Sequence, residues 1–348
     1  MADRKIKIAV IGASGYTGAD LIRLAAAHPR MEIAILTANT HAGKKAHEVF
    51  PHFSALGLPP LIKTDDADWR GIDAVFCGLP HATSQEVIKS LPDHLKIIDM
   101  SADFRLRNPA VYEKWYGTPH KALDLQKVAV YGLTEHYRDA IRKARLVACP
   151  GCYPTAALLM LLPLVKDGLI DAGDVLIDAK SGVSGAGRSL KQNLLFTEAG
   201  EGLSPYGIAS HRHAPEMEQE ISKAAGREVI INFTPHLIPM SRGELCTSYV
   251  RLASGATVDD LARSLESAYR GEPFVHLAPE GITPATQFVR GSNHVMLAVY
   301  ADRIPSRAIL VSTLDNLVKG SAGQAIQNFN LIFGLPETSG LEQVALFP

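Results

Sequence analysis

Cys149 and Cys152 lie three positions apart and bracket Pro150 and Gly151 in VACPGCYPTAALLMLLPLV, residues 147–165. That spacing serves three chemistries: a redox pair, half of a zinc site, or one nucleophilic thiol beside a bystander. A structural zinc needs two further ligands, yet Cys77 and Cys246 are isolated singles, so no metal is expected. A thioredoxin-type pair would need its own fold and no nucleotide, so a nucleotide-binding signal elsewhere would favour the third reading. Pro154 suits the first turn of a helix and places the Cys152 sulfur at the helix N-terminus. There the helix dipole and free N–H groups favour thiolate, lowering the thiol pKa from about 8.5. Cys149 ends a strand pattern and reads as a small buried hydrophobe.

A thiol nucleophile needs a proton acceptor, and SHRHAPEMEQEI supplies His211, His213 and Glu216, with Pro215 opening a helix. Imidazoles at a helix N-terminus are biased toward the neutral form, which suits a general base, and Glu216 could orient one of them. His211 stands farther into the loop and is the first choice, with His213 the runner-up. His236 and His294, on strand edges, rank below both. A polar cluster capping the helix is the plain alternative.

The nucleotide signal is KIAVIGASGYTGADLIRLAAAHP, in which Gly12, Gly15 and Gly18 form G-x-x-G-x-x-G between a strand and a helix. Such glycines let the backbone approach a pyrophosphate, which then sits on the first N–H groups of the helix beside Ser14, Tyr16 and Thr17. A structural turn is the alternative. The second strand ends in TANTHAGKK without an acidic ribose clamp, and Glu32 only opens that strand. Thr37, Asn39 and Thr40 with Lys44 and Lys45 fit a 2′-phosphate instead, so the expected cofactor is NADP(H). CGLPHATS, with Pro80, ends a further strand where a ribose would lie. SGVSGAGR offers Ser181, Gly182, Ser184 and Gly185 as donors to phosphate or cofactor, and Asn316 could reach the carboxamide. A thiolate facing a nicotinamide implies an enzyme that links a thioester to a thiohemiacetal by hydride transfer.

Short β-rich runs, KIKIAVIG, EIAILTA, DAVFCGL, KIIDMS and LVACP, alternate with helical patterns at Gly18–His28 and Ser84–Leu91, the pattern of an α/β, Rossmann-type, doubly wound parallel sheet. After an apolar helix at Thr155–Val165 come longer strands, VLIDAKSG, EVIINFTPHLIPM, LCTSYVRLA and HVMLAVYAD, expected to form the mixed or antiparallel sheet of an α+β domain. STLDNLVKGSAGQAIQNFNLIFG reads as an amphipathic closing helix. The 348 residues are 47% hydrophobic, enough for two domains, and 35 basic against 36 acidic side chains leave no net field for nucleic acid or an anionic membrane. The charged opening MADRKIKIAVIGASG is unlike a signal peptide, no apolar run reaches the ~20 residues of a membrane span, and four cysteines are too few for a disulfide framework. A cytoplasmic location follows as an expectation.

GASGYTGADLIRL, PGCYPTAAL, SGVSGAGR, SHRHAPE and DNLVKGSAGQAIQNFNLIFG together resemble, end to end and in order, the N-acetyl-γ-glutamyl-phosphate reductases of arginine biosynthesis. PGCYPT is a specific segment, whereas the nucleotide loop is shared widely. The resemblance implies NADPH-dependent reduction of N-acetyl-γ-glutamyl phosphate to the semialdehyde with release of phosphate, and a fold related to aspartate-semialdehyde dehydrogenase. It makes Cys152 the nucleophile and leaves Cys149 outside the chemistry. A substrate with an acyl phosphate and a carboxylate makes Arg105 and Arg242 candidate anion clamps, since arginine offers either group a bidentate fork; surface ion pairing is their alternative. The implied organisation is an NADP-binding domain over 1–149, a catalytic and dimerisation domain over 150–315, and a C-terminal helix over 316–348 returning to the nucleotide domain, in a homodimer or homotetramer. One departure is Thr134 in YGLTE, where proline is expected. A reductase of a related acyl phosphate, aspartyl or carrier-bound aminoadipyl, and a non-catalytic NADP-binding regulator remain the alternatives.

Overall fold

The buried runs IKIAVI, AVFC, KIID and LVA form the centre of a parallel sheet in the computed structural model, which describes residues 4–348. Its strands are β1 (Ile6–Ile11), β2 (Met31–Thr37), β3 (Leu61–Ile62), β4 (Ala74–Cys77), β5 (Lys96–Asp99), β6 (Val130–Tyr131) and β7 (Leu146–Ala148). They run in the order β3-β2-β1-β4-β5-β7-β6, every pair parallel. Strands covered on both faces read as continuous apolar runs. The order reverses between β1 and β4, the switch point at which such sheets hold nucleotides beyond their strand ends. The connections include α1 (Tyr16–Ala27), α2 (Ser84–Ser90) and α3 (Thr134–Lys143). Thr134, where proline was expected, opens α3 and donates its buried hydroxyl to Asn328 Oδ1 at 2.8 Å, a bond no proline could make.

Cys152–Lys166 forms α4, buried at every position from Tyr153 to Val165. The helix is apolar all round because the sheet lies on one side and α5 (Ala214–Ala225) and α6 (Val258–Ala268) lie against it on others. Pro163 within α4 supplies no N–H to the Leu159 carbonyl, and the Tyr269 hydroxyl donates to that carbonyl instead. The sheet comprises β8 (Ile170–Gly182), β9 (Ser204–Pro205), β10 (Asn232–Ile238), β11 (Glu244–Leu252), β12 (Val275–Leu277), β13 (Val295–Ala301) and β14 (Arg307–Leu314), in the order β12-β13-β14-β11-β8-β10-β9. β8 pairs with β10 in parallel and with β11 antiparallel, so the sheet is mixed.

The closing segment departs from the amphipathic helix expected of it. Its first residues complete β14, a π-helical turn follows at Val318–Ala322, and the helix α7 spans only Gly323–Ile332. From Gly323 to Leu331 every residue of α7 is buried, Gln324, Gln327, Asn328 and Asn330 included. These amides read as a solvent face, but the two asparagines bond internally: Asn328 Nδ2 donates to Gly132 O at 2.8 Å, and Asn330 Nδ2 donates to the carbonyls of Glu337 and Ser339. By its contacts the chain divides into two units, one holding the chain up to Pro150 with Ser321–Glu342, the other Gly151–Gly320 with Gln343–Pro348. Among the described residues no helix is long and apolar enough to cross a membrane.

Candidate active site

In the first unit the glycine loop joins β1 to α1. Gly12 has φ +83°, and a Cβ there would lie 2.9 Å from the carbonyl carbon of Gly78 and closer still to its oxygen. A Cβ on Gly18 would lie 2.5 Å from Gly12 O. Both obstacles are backbone, so these glycines are required for β1, β4 and α1 to meet at all. Gly15 is the N-cap of α1 with no side-chain cap bond, and there is no acidic residue in the helix's first turn. That leaves N–H groups and the positive end of the dipole for an anion, as NADP(H) requires. Ser14 and Thr17 are half-buried beside them, and Tyr16 is 38% exposed.

The turn after β2 separates the residues expected to hold the 2′-phosphate. Thr37 is fully buried, its hydroxyl shared with that of Thr64 at 3.0 Å, and Asn39 Oδ1 accepts the Thr64 N–H at 3.1 Å. Those two tie the strand end to its neighbour. Thr40, Lys44 and Lys45 are exposed. Pro80 is exposed at the end of β4, and the loop beyond it is fixed by Asp103, a residue missed in the sequence. Asp103 is fully buried and accepts from Ala82 N–H at 2.7 Å, from Ser84 N–H at 3.1 Å and from the Tyr112 hydroxyl at 2.7 Å. It thereby holds Ala82 at φ 66°, a left-handed conformation costly for alanine. Arg105 is buried, with Nη2 donating to Met100 O at 3.2 Å. Cys149 belongs to this unit; burial pushes its thiol up to about 12 and away from nucleophilic use.

In the second unit the cysteine chemistry gathers at the start of α4. Cys152 is the first residue of that helix, Gly151 is its N-cap, and among the four cysteines only Cys152 is not fully buried. Glu216, 1% exposed in the first turn of α5, accepts the Gly151 N–H through Oε1 at 2.9 Å. Glu216 therefore acts on the backbone next to the sulfur. The His213 ring lies on Gly151 so closely that a Cβ there would be 2.6 Å from its Cε1 and 2.8 Å from its Cδ2. His211 lies behind, its ring centroid 4.7 Å from that of His213. His211 Nδ1 accepts the His213 backbone N–H at 3.1 Å, so a neutral His211 carries its proton on Nε2. Burial, with the charge of Arg212, lowers the His211 pKa to about 4. His236 Nδ1 is 3.2 Å from an Asp178 oxygen, and His294 Nδ1 is 2.9 Å from His276 Nε2.

The remaining predicted residues of this unit form a connected bed. Asn316 donates through Nδ2 to Ser184 Oγ at 2.9 Å and accepts the Gly243 N–H at the same distance, joining the SGVSGAGR loop to the SRG turn. A Cβ on Gly185 would sit 3.1 Å from Ser181 Oγ and 3.6 Å from Asn316 Nδ2. Arg242 is half-exposed and pairs with the buried Asp315 at 3.5 Å. Glu244 was not expected at all. It opens β11, pairs with Ser181 on one side and Leu314 on the other, and is fully buried. Burial raises its carboxyl pKa to about 8, opposed by the Cys152 thiol and aided by the charge of Asp315. A lone glutamate in RGELCT carries no motif, and only strand register brings it to the cysteine.

A phosphate-ready glycine loop at a parallel-sheet switch point and a cysteine at a helix start beside a mixed sheet are the two halves of a semialdehyde dehydrogenase. Residues 7–144 match the semialdehyde dehydrogenase NAD-binding domain family and residues 152–316 the semialdehyde dehydrogenase dimerisation domain family. Aspartate semialdehyde dehydrogenase II from Vibrio cholerae superposes with a TM-score of 0.71 at 17% identity, covering 95% of this chain and 99% of that one. The Candida albicans aspartate semialdehyde dehydrogenase solved with NADP gives a TM-score of 0.68 at 18% identity, covering 95% of this chain and 99% of its own. Curated relatives fix the family more narrowly. A probable chloroplastic N-acetyl-γ-glutamyl-phosphate reductase of Arabidopsis thaliana is 54% identical over 99% of this chain and 86% of its own length. The N-acetyl-γ-glutamyl-phosphate reductase of Rhodospirillum rubrum is 53% identical over 99% of both. The chain belongs to the N-acetyl-γ-glutamyl-phosphate reductase family.

Proposed function

We propose that this chain reduces N-acetyl-γ-glutamyl phosphate to N-acetyl-L-glutamate 5-semialdehyde with release of phosphate, a step of arginine biosynthesis, using NADPH. The observation that carries the reading is identity above half, over nearly the whole chain, to relatives of that name. The first unit acts as the nucleotide domain and the second as the catalytic one. Gly12, Gly15 and Gly18 leave room for a pyrophosphate, and Lys44 and Lys45 meet the 2′-phosphate. When bound, NADPH supplies the hydride.

The rest of the chemistry is assigned to this chain's own side chains. Cys152 Sγ attacks the γ-carbonyl, phosphate departs, and a thioester remains on the sulfur. Reduction of the thioester gives a thiohemiacetal, whose hydroxyl gives up its proton as the C–S bond breaks and the semialdehyde leaves. Between the two histidines, the acid–base role goes to His213. Its ring lies on the residue preceding Cys152, whereas His211 spends Nδ1 on the His213 backbone and is held neutral by burial. Glu216 holds the Gly151 N–H and so orients the turn that carries the sulfur. The positive end of the α4 dipole is assigned to the oxyanion. Arg242 is assigned to the substrate's anionic groups, and Ser181, Ser184 and Gly185 to its phosphate side.

The dimerisation-domain match supports self-association. We assign a homodimer to the sheet face opposite α4, where Leu245, Tyr249, Met296, Ile309 and Val311 are only half-buried. The test of the activity is the reverse reaction: phosphate-dependent reduction of NADP with N-acetylglutamate 5-semialdehyde, beside aspartate semialdehyde. A rate dependent on phosphate and on the acetylated substrate supports the reading. Equal or faster turnover of aspartate semialdehyde overturns it.

A further inference from the structure

Glu244 is a buried carboxyl that the mechanism above leaves unused. Both of its oxygens are sealed from solvent, and neither has a hydrogen-bond partner. A carboxylate in that state would carry a desolvation cost with nothing to offset it. The position is set by the sheet. Glu244 is paired with Leu314 across β11 and β14, and a Cβ on Gly320 would touch both Leu314 Cδ1, at 3.2 Å, and Cys152 Cβ, at 2.8 Å. Leu314, Glu244 and Cys152 are thus neighbours, and α4 packs across β8, β11 and β14. The ionisable groups that act on this spot are the Cys152 thiol, Asp315 with its partner Arg242, the Tyr153 and Tyr206 hydroxyls, and Cys246, with Glu216 and His213 against the neighbouring Gly151. Arg242 is the one permanent cation in that set, and it is engaged by Asp315.

We propose that Glu244 is a catalytic residue that stands as a neutral carboxylic acid and donates a hydrogen bond to the Cys152 sulfur, so that the single negative charge of the Glu244–Cys152 pair rests on sulfur. No proton is lost from the pair in attack: the S–H proton is released to solvent before substrate is engaged, and the O–H proton of Glu244 stays in place while the sulfur forms its bond to the γ-carbon. The two competing placements of the charge differ in environment. On Glu244 it would be fully buried; on Cys152 it lies at the positive end of the α4 dipole and is partly solvated. Burial raises the carboxyl toward about 8, the same direction. Ionisation of Glu244 at higher pH then brings a second charge against the thiolate and against an anionic substrate.

The inference rests on Cys152 being the nucleophile, and its test is separate from activity. Thiolate formation is followed by the pH dependence of Cys152 alkylation with iodoacetamide, the other three cysteines being buried. Glu244→Gln keeps a neutral donor of the same size, and the alkylation midpoint is expected to remain at the wild-type pH. Glu244→Leu removes the donor, and the thiolate fraction at neutral pH is expected to fall about tenfold to a hundredfold, the usual worth of a hydrogen bond to a charged group. Both variants are checked for folding by thermal melting. A Glu244→Gln midpoint well below the wild type would show a carboxylate holding the proton on sulfur and overturn the proposal, as would superimposable profiles for Leu and wild type. If Cys152→Ser retains turnover, the nucleophile assignment fails instead, whatever the alkylation profiles show.

Discussion

Gly151→Ala adds one methyl group at the most sensitive backbone position beside the nucleophile. The backbone there, φ −66° and ψ 160°, is open to alanine, so the change carries no conformational strain. Losing glycine at the N-cap costs about 0.5–1 kcal/mol of stability. The methyl itself would lie 2.6 Å from His213 Cε1, against an ordinary carbon–carbon separation of about 3.5 Å, so the ring must retreat by roughly 1 Å. A side chain can do this; the fold survives. A displacement of about 1 Å in a proton-transferring group is worth on the order of a hundredfold in rate. The variant is therefore expected to melt within a few degrees of wild type, to bind NADPH equally well, and to lose about a hundredfold in kcat for phosphate-dependent NADP reduction. His211→Asn, which leaves the Gly151 contact alone, should lose far less. A Gly151→Ala enzyme with the wild-type kcat, properly folded, would refute both the placement of the ring and the assignment of His213.

Cys152→Ser is expected to abolish turnover while Cys149→Ser keeps most of it; comparable losses in steady-state rate would revive a dithiol mechanism. Lys44→Glu with Lys45→Glu is expected to cut the preference for NADPH over NADH by about tenfold, read as the ratio of kcat/KM, because a charge-assisted contact to phosphate contributes about 1.5 kcal/mol or more; an unchanged ratio removes the lysines from the 2′-phosphate site. His211 contributes a stability dependence on pH. Its folded pKa, about 4, lies below the unfolded value of about 6.5, so the unfolded chain takes up the proton first. The contribution is present above about pH 6.5 and is lost as pH falls toward 4. His211→Asn should flatten the decline of Tm across that window, and an unaltered slope would count against the buried neutral imidazole.

What could be read in advance follows from the range of the interactions. Glycine spacing between a strand and a helix is local, so the nucleotide loop announced itself, as did PGCYPT at a helix start. Glu216 was picked out by its nearness to the histidines, yet its observed bond is to Gly151, 65 residues away. Glu244 and Asp103 carry no local pattern; one is brought to the cysteine by antiparallel register and the other is made a loop clamp by four separate donors. The histidine order rested on loop position, whereas ring placement depends on the glycine that it covers. The helix α7 misled for a further reason. Asparagine and glutamine count as solvent-seeking in any periodicity argument, and their partners here, such as Gly132 and Thr134, lie nearly 200 positions earlier in the chain: 196 and 194 respectively.

That same helix imposes an order on synthesis. The first 150 residues leave the ribosome well ahead of Ser321–Glu342, which belong to the same unit. The intervening 170 residues, Gly151–Gly320, take roughly ten to thirty seconds to make at about 5–20 residues per second. Throughout that interval Phe76 and His28 lack the ring of Phe329 that covers them in the finished protein. The nascent nucleotide unit therefore waits, apolar surface open, while Gly151–Gly320, all of the other unit but its last six residues, is able to pack first. Shielding of the nascent chain is needed for the earliest-made part, and a stop codon shortly before α7 would damage the end of the protein that was translated first.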